Sequence, residues 1–142
     1  MVRQSTIKKQ LLITATCGVL GILLGAFSAH GLETKVQESI ITQHQLDVFE
    51  KGVRYQMYHV FFMLSIVLFN LYKQQCELYK SFWFALAGIM LFSGSLYWIA
   101  LQNIIHIPFP KFLFFITPLG GLCFIAAWIF LFKDAAKIPN RQ

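Results

Sequence analysis

Charged residues are scarce in this sequence: Asp, Glu, Lys and Arg make up 13% of it, about half the share usual in globular proteins. Only six residues are acidic, and none of them lies within the four long apolar stretches. An enzyme that relies on a buried carboxylate pair is therefore disfavoured. The net charge of +6 comes from basic residues that mostly flank the apolar stretches, a pattern typical of membrane orientation rather than nucleic-acid binding.

Cysteine is also rare, and the three cysteines have no paired spacing. They are Cys17, Cys76 and Cys123. Because no C-x-x-C motif is present, the cysteines indicate neither a disulfide framework nor a zinc site. Cys17 and Cys123 lie inside apolar stretches, where we interpret them as small side chains of packed helices. Histidine spacing gives no metal site either, because no pair is arranged as i,i+4 or H-x-x-H.

Apolar residues dominate instead, at 57% of the chain with a mean hydropathy of +0.61. They form four runs of roughly 20 residues, the length needed to cross a hydrocarbon core about 30 Å thick. A soluble protein of this size has too little interior to bury them all. The sequence therefore predicts a single integral membrane domain, an all-α four-transmembrane-helix bundle. The expected spans are about 11–29, 53–72, 82–101 and 112–132.

The first apolar run also resembles a signal peptide, because a basic segment precedes it. Phe27 stands where a cleavage site after Ala29 requires a small residue, so we favour a retained membrane helix. Gly21, Gly25 and Ala29 recur every four residues in it, a spacing that allows close approach of another helix.

The only long connection, residues 30–51, contains an amphipathic segment. Leu46, Phe49 and Val53 share one helical face, and Thr42 with Gln45 fits a capping box. These residues predict a short amphipathic helix at the membrane surface between the first and second spans. Gly52 is the expected bend between this helix and the second span.

Basic residues are distributed unequally between the two ends of the predicted spans. Four spans place both termini and the loop at 73–80 on one side, which holds eight of the twelve basic residues: Arg3, Lys8, Lys9, Lys73, Lys80, Lys133, Lys137 and Arg141. The other side holds Lys35, Lys51, Arg54 and Lys111. The excess of positive charge predicts that both termini are cytoplasmic in a bacterial cytoplasmic membrane protein.

This orientation brings the polar residues of the four spans to a similar depth in the outer half of the membrane. A histidine inside a membrane span is costly and usually faces other protein, which makes His59 central to the layer. The candidate ligand-binding residues are His30, Tyr55, Gln56, His59, Ser93, Ser95, Tyr97 and Thr117. A structural role for His59, with neighbouring hydrogen-bond partners, is the alternative. His44 and His106 are expected to face solvent, and the inner halves of the spans are expected to be dry and nearly featureless.

Thr117 and Pro118 allow two geometries for the fourth helix. Either Pro118 kinks a continuous helix by removing a hydrogen bond to Phe114, or Thr117 caps a helix that has Pro118 as its first residue. In the second case the helix N-terminus favours an anion in the polar layer.

Four stretches of the chain resemble those of a known family. They are Gly-Ala-Phe-Ser-Ala-His-Gly-Leu at 25–32, Arg-Tyr-Gln-Met-Tyr-His at 54–59, Phe-Ser-Gly-Ser-Leu-Tyr at 92–97 and Ile-Thr-Pro-Leu-Gly-Gly at 116–121. In this order they resemble the YgdD/YwdK-type family of small bacterial inner-membrane proteins of unknown function, with Ser28 replacing an expected glycine. The resemblance implies a four-helix protein of the cytoplasmic membrane and implies no reaction.

Three functional hypotheses follow from these patterns. The first is a non-enzymatic membrane protein that binds a small ligand, a lipid or a protein partner at the polar layer, and that forms a homo-oligomer or joins a membrane partner. The second is an oligomeric transporter or channel component. The third is a membrane redox, metal or haem protein that uses His30 and His59. No cofactor is indicated.

Overall fold

A computed structural model describes residues 2–73, 78–110 and 114–137 of the chain. Over these residues it is helical, and four helices are long and apolar enough to cross a membrane. This confirms the all-α four-transmembrane fold. Several residues named above lie outside the described part: Cys76, Lys111, Arg141 and the start of the fourth span at 112.

The first and third helices each contain one π-helical turn. The bounds of the segments are Val2–Phe27 (α), Ser28–Leu32 (π) and Glu33–Gln37 (α) in the first helix; Gln43–Lys73 in the second; Tyr79–Gly88 (α), Ile89–Ser93 (π) and Gly94–Ile105 (α) in the third; and Ile116–Ala135 in the fourth. Both π turns fall in or directly before stretches that carry the family resemblance. Turns of this kind are rare and occur often at functional sites.

The short amphipathic helix does not form a separate element. Residues 43–53 are the first turns of a continuous second helix, which begins at the predicted capping box. Thr42 and Gln45 there exchange hydrogen bonds between side chain and backbone at 3.0 and 3.2 Å. The second helix also runs without a break through Gly52, which is buried where Tyr97 packs against it.

Successive helices along the chain make the extensive contacts of the bundle. The first helix packs on the second, the second on the third, and the third on the fourth. Gly18, Gly21 and Gly25 face Val60, Met57 and Val53 of the second helix. Small residues of the first helix therefore do mediate packing, although Ala29 is exposed.

Two apolar clusters fill the interior. The larger joins all four helices around Met63, Phe82 and Phe124. The smaller lies at the end where the second helix begins, and buries Leu32, Leu46 and Phe49. The outward faces of the first and fourth helices keep many exposed apolar side chains, as expected for surfaces in contact with lipid.

Candidate functional site

Gln56 joins three helices at the centre of the predicted polar layer. Its Nε2 donates to the backbone carbonyl of Cys17 in the first helix at 2.8 Å, and its Oε1 accepts from the Tyr97 hydroxyl of the third helix at 2.8 Å. Its side chain is only 4% exposed. A buried carboxamide is stable here because both of its ends have partners.

Two glycines make room for this bridge. A Cβ on Gly21 would lie 3.2 Å from Gln56 Nε2, and a Cβ on Gly52 would lie 2.8 Å from the Tyr97 ring. Because neither glycine carries a side chain, the first and third helices approach Gln56 closely enough for direct hydrogen bonds. Gly52 therefore matters for the packing of the second and third helices.

We expect Gln56→Leu to lower the free energy of unfolding by about 1–3 kcal/mol, since an interhelical hydrogen bond in a membrane protein contributes about 0.6 and at most about 1.7 kcal/mol. Tyr97→Phe removes only one of the two bonds and costs less. A double-mutant cycle measured by denaturation in detergent should give a coupling of about 1 kcal/mol between the two side chains. Ser65→Ala is the control, because Ser65 bonds only within its own helix, and additive effects at 56 and 97 would contradict the bridge.

Ser95 and Thr117 form a second interhelical link, with 2.7 Å between their hydroxyl oxygens. The Thr117 hydroxyl is directed to the third helix and makes no capping bond. The fourth helix begins at Ile116 with Phe115 as its N-cap residue, so Pro118 lies in the first turn, where no bond within the helix is lost. Both predicted geometries, a kink at Pro118 and a cap at Thr117, are wrong for this reason.

The His59 ring is held between its own helix and Phe124 of the fourth helix. Nδ1 lies 2.9 Å from the backbone carbonyl oxygen of Tyr55. The imidazole stacks on the Phe124 ring, with centroids 3.5 Å apart and an interplanar angle of 12°. Only 6% of His59 is exposed, and its Nε2 has no hydrogen-bond partner among the described residues.

His59 also lines a crevice between the second and fourth helices. The crevice has a volume of about 830 Å³, and its walls include Tyr55, Phe92, Pro118 and Phe124. A second space of about 640 Å³ lies alongside and shares Trp128 as a wall. The crevice is almost wholly apolar, and His59 is one of its few polar residues.

The structure joins some of the eight candidate residues and separates others. Gln56 bonds to Tyr97, Ser95 bonds to Thr117, and Tyr55 and His59 meet at Phe124. Ser93 is fully buried in the π turn of the third helix, and its hydroxyl lacks a partner within the described ranges. His30 is exposed in the π turn of the first helix, while His44 and His106 are exposed as expected.

A second polar cluster occurs at the opposite depth, where the sequence predicted a dry, featureless half. Gln10, Asn70 and Ser81 are fully buried. Among the described residues, both polar atoms of the Gln10 side chain, Asn70 Nδ2 and Ser81 Oγ are unpaired. The prediction was wrong because Gln10 and Ser81 lie just outside the predicted spans, whereas the helices continue past them. Asn70, a carboxamide within an apolar run, was the available signal.

A helix register and one hydrogen bond bring these three residues to the same end of the bundle. The pairings of Gly18 with Val60 and of Gly25 with Val53 define an antiparallel register between the first and second helices. Extending it brings Gln10 level with residue 68. The amide of Leu78, the N-cap residue of the third helix, donates to Asn70 Oδ1 at 3.5 Å, which brings the start of that helix to the same end.

Within ranges 2–73, 78–110 and 114–137, no three His, Cys, Asp or Glu side chains are grouped closely enough to hold a metal ion. The polar layer consists instead of neutral hydroxyl, carboxamide and imidazole groups. Such groups form hydrogen bonds with a neutral ligand at little electrostatic cost.

Comparison with known proteins links the chain to small membrane proteins. A family model described as "Protein of unknown function (DUF423)" matches residues 24–121. YwdK of Bacillus subtilis, a UPF0382 membrane protein, is 38% identical over 89% of this chain and 95% of its own. SH2409 of Staphylococcus haemolyticus is 35% identical over 89% and 94%. The inner membrane protein YgdD of Escherichia coli is 29% identical over 96% and 95%. No solved structure matches.

Proposed function

The chain belongs to the DUF423 family of membrane proteins of unknown function, and from this premise we propose that it binds a small, mostly apolar ligand. The proposed site is the crevice between the second and fourth helices. The observation that carries the proposal is the buried His59 ring: the residue lines an apolar crevice, and its Nε2 has no hydrogen-bond partner among the described residues. An unpaired buried polar atom costs about 1–3 kcal/mol, which a ligand with a matching group recovers.

The contact between His59 and Tyr55 defines what that group must be. A backbone carbonyl oxygen only accepts hydrogen bonds, so Nδ1 carries the proton. In the neutral imidazole Nε2 is then an acceptor. The ligand must therefore offer a hydrogen-bond donor, such as a hydroxyl or an N–H, attached to an apolar body that contacts Phe124 and Trp128.

The crevice size supports a ligand of this kind. Pockets for small molecules usually measure about 300–1,000 Å³ and are lined by apolar side chains with a few polar groups. A volume of about 830 Å³ lies in this range. Two interhelical hydrogen bonds, Ser95–Thr117 and Gln56–Tyr97, support the proposal as well. They fix the positions of the second, third and fourth helices around the crevice.

We expect His59→Phe to abolish retention of the ligand while it leaves the folded protein in place. Phenylalanine keeps the ring that stacks on Phe124 but removes Nε2. Native mass spectrometry of the detergent-purified protein, read with its visible absorption spectrum, reports a retained molecule and the number of subunits together. A mass present in the unmodified protein and lost in the variant identifies the ligand.

His44→Phe is the matched control, because it makes the same change at an exposed histidine. Equal retention in the two variants would remove His59 from the site. An unmodified protein that carries no ligand, and that gains none when incubated with membrane extract, would overturn the proposal.

A second candidate function, transport by an oligomer, gains support from the inner polar cluster. Gln10, Asn70 and Ser81 add buried polar groups at the depth where the spans were expected to be dry. Solute uptake into proteoliposomes that depends on both Gln10 and His59 would favour transport over simple binding. The same measurement of subunit number decides whether the oligomer exists.

We also propose that both termini are cytoplasmic and that chain 1–142 is one integral membrane domain. The support for the orientation is the excess of Lys and Arg at the end where the first helix begins and the fourth ends. In this orientation the His59 crevice opens in the outer half of the membrane.

A further inference from the structure

A basic pocket lies at the other end of the fourth helix. It has a volume of about 420 Å³ and lies between the beginning of the third helix and the end of the fourth. Its walls are Tyr79, Lys80, Phe130, Lys133, Asp134 and Lys137. It is distinct from the His59 crevice, although Lys133 contributes to the walls of both.

Positive charge exceeds negative charge in this pocket by two. Lys137 pairs with Asp134, with 3.1 Å between Nζ and Oδ1. Lys80 Nζ lies 5.5 Å from the centre of the Phe130 ring, a cation–π contact that leaves its ammonium protons available. Lys133 has no ion-pair partner among the described residues and is exposed.

The position of the pocket indicates which anion it receives. Lys80 is the second residue of the third helix, and Lys133 is close to the end of the fourth, so both lie where the membrane-crossing helices reach the polar headgroup region. Basic pockets between transmembrane helices at this level attract the headgroups of anionic lipids. Tyr79, in the pocket wall, is of a residue type enriched at the membrane interface.

We infer that this pocket binds the phosphate group of an anionic phospholipid, with Lys80 and Lys133 as the direct contacts. The exposed ring of Phe84, which does not line the His59 crevice, stacks on Phe130 of the pocket wall. It offers an apolar surface for the lipid chains, which favours a lipid over a soluble phosphate. A zwitterionic headgroup should bind more weakly, because its positive group needs a free carboxylate. The pocket's one carboxylate, Asp134, already pairs with Lys137. This inference goes beyond the proposed function and uses different polar groups.

Titration of the full-length protein with phosphatidylglycerol, followed by native mass spectrometry, tests the inference. Each lysine near the membrane surface contributes enough that removing two should weaken binding roughly 30-fold. We expect this loss for the double variant Lys80→Gln/Lys133→Gln. The control Lys8→Gln/Lys9→Gln removes the same charge at the same end of the molecule, from exposed positions outside the pocket, and should change binding by about threefold or less.

Several results would overturn the inference. Equal losses in the two double variants would show a general attraction to positive charge, and unchanged binding in the pocket variant would exclude the site. If phosphatidylcholine bound as tightly as phosphatidylglycerol, the pocket would not distinguish headgroups by their charge. Inorganic phosphate that binds with the same lysine dependence, and that displaces the lipid, would assign the pocket to a soluble anion.

Two further variants separate folding and ligand effects from the lipid effect. Lys80→Arg/Lys133→Arg keeps both charges and should retain lipid binding, so a loss there as well would reject charge as the cause. His59→Phe should retain phosphatidylglycerol binding even though it abolishes ligand retention in the crevice. The lipid inference and the proposed function therefore fail independently.

Discussion

Gly120→Ala is expected to lower the free energy of unfolding by about 3 kcal/mol, at the upper end of the usual cost of overpacking. A Cβ at this position would lie 2.4 Å from the backbone nitrogen of Phe92 and 2.8 Å from its Cα. Backbone atoms cannot rotate away as a flexible side chain can. The third and fourth helices would have to separate, which would also break the Ser95–Thr117 link.

Two neighbouring glycines provide controls of opposite sign. A Cβ on Gly121 would meet its nearest atom, in the Phe92 ring, at 4.0 Å, and one on Gly94 would meet nothing within 4 Å. Alanine is the better helix former by about 1 kcal/mol, so Gly121→Ala and Gly94→Ala should be neutral or stabilising. Unfolding in detergent followed by circular dichroism measures all three. Similar midpoints for the 120 and 121 variants would contradict the close contact.

Phe124→Ala is expected to cost about 3 kcal/mol, the low end of the range for truncating a buried phenylalanine. The low end applies because lipid rather than water solvates part of the unfolded protein, and the loss comes mainly from packing. Phe124 lies directly against Gly88, where a Cβ would be only 2.3 Å from its ring. It also supports His59 through the stack at 3.5 Å, so ligand retention in the crevice should be lost as well.

Phe115→Ala is the matched control for this prediction. Phe115 is the N-cap residue of the same helix, is 80% exposed and does not line the crevice, so its truncation should change stability by less than about 0.5 kcal/mol and leave ligand retention unchanged. Thermal unfolding and native mass spectrometry of the two variants give both readouts. Retained ligand in a folded Phe124→Ala protein would mean that the stack does not hold His59 in its binding position.

The number of helices was predictable because the bilayer imposes one length on every span. Predicted depth selected Gln56, Tyr97, Ser95 and Thr117, which the structure joins in two pairs. Depth alone does not reveal which residue meets which, since that depends on the rotation of each helix. Uniformly apolar faces carry little information about rotation, and therefore the His59–Phe124 stack was not predicted.

The errors share a physical cause: apolar runs mark the hydrocarbon, whereas helices end where their hydrogen bonding ends. The second helix begins ten residues before its predicted span. The reason is that Leu46 and Phe49 pack in the smaller apolar cluster of the protein instead of lying on a membrane surface. The third helix extends over Ser81 in the same way. Helix ends and the residues just outside the apolar runs were therefore the least predictable part of the chain.

The packing of each helix on its neighbour in the sequence has a consequence for how the protein assembles during synthesis. Because each helix rests mainly on the one that precedes it, every interface closes through a short connection, which costs little loop-closure entropy. The nascent chain can complete the first pair of helices before the third has been synthesised. Assembly in the membrane then follows the order of translation. Gln56 gains its Cys17 partner first and its Tyr97 partner one helix later, and the His59 ring waits longest, for Phe124 of the fourth helix.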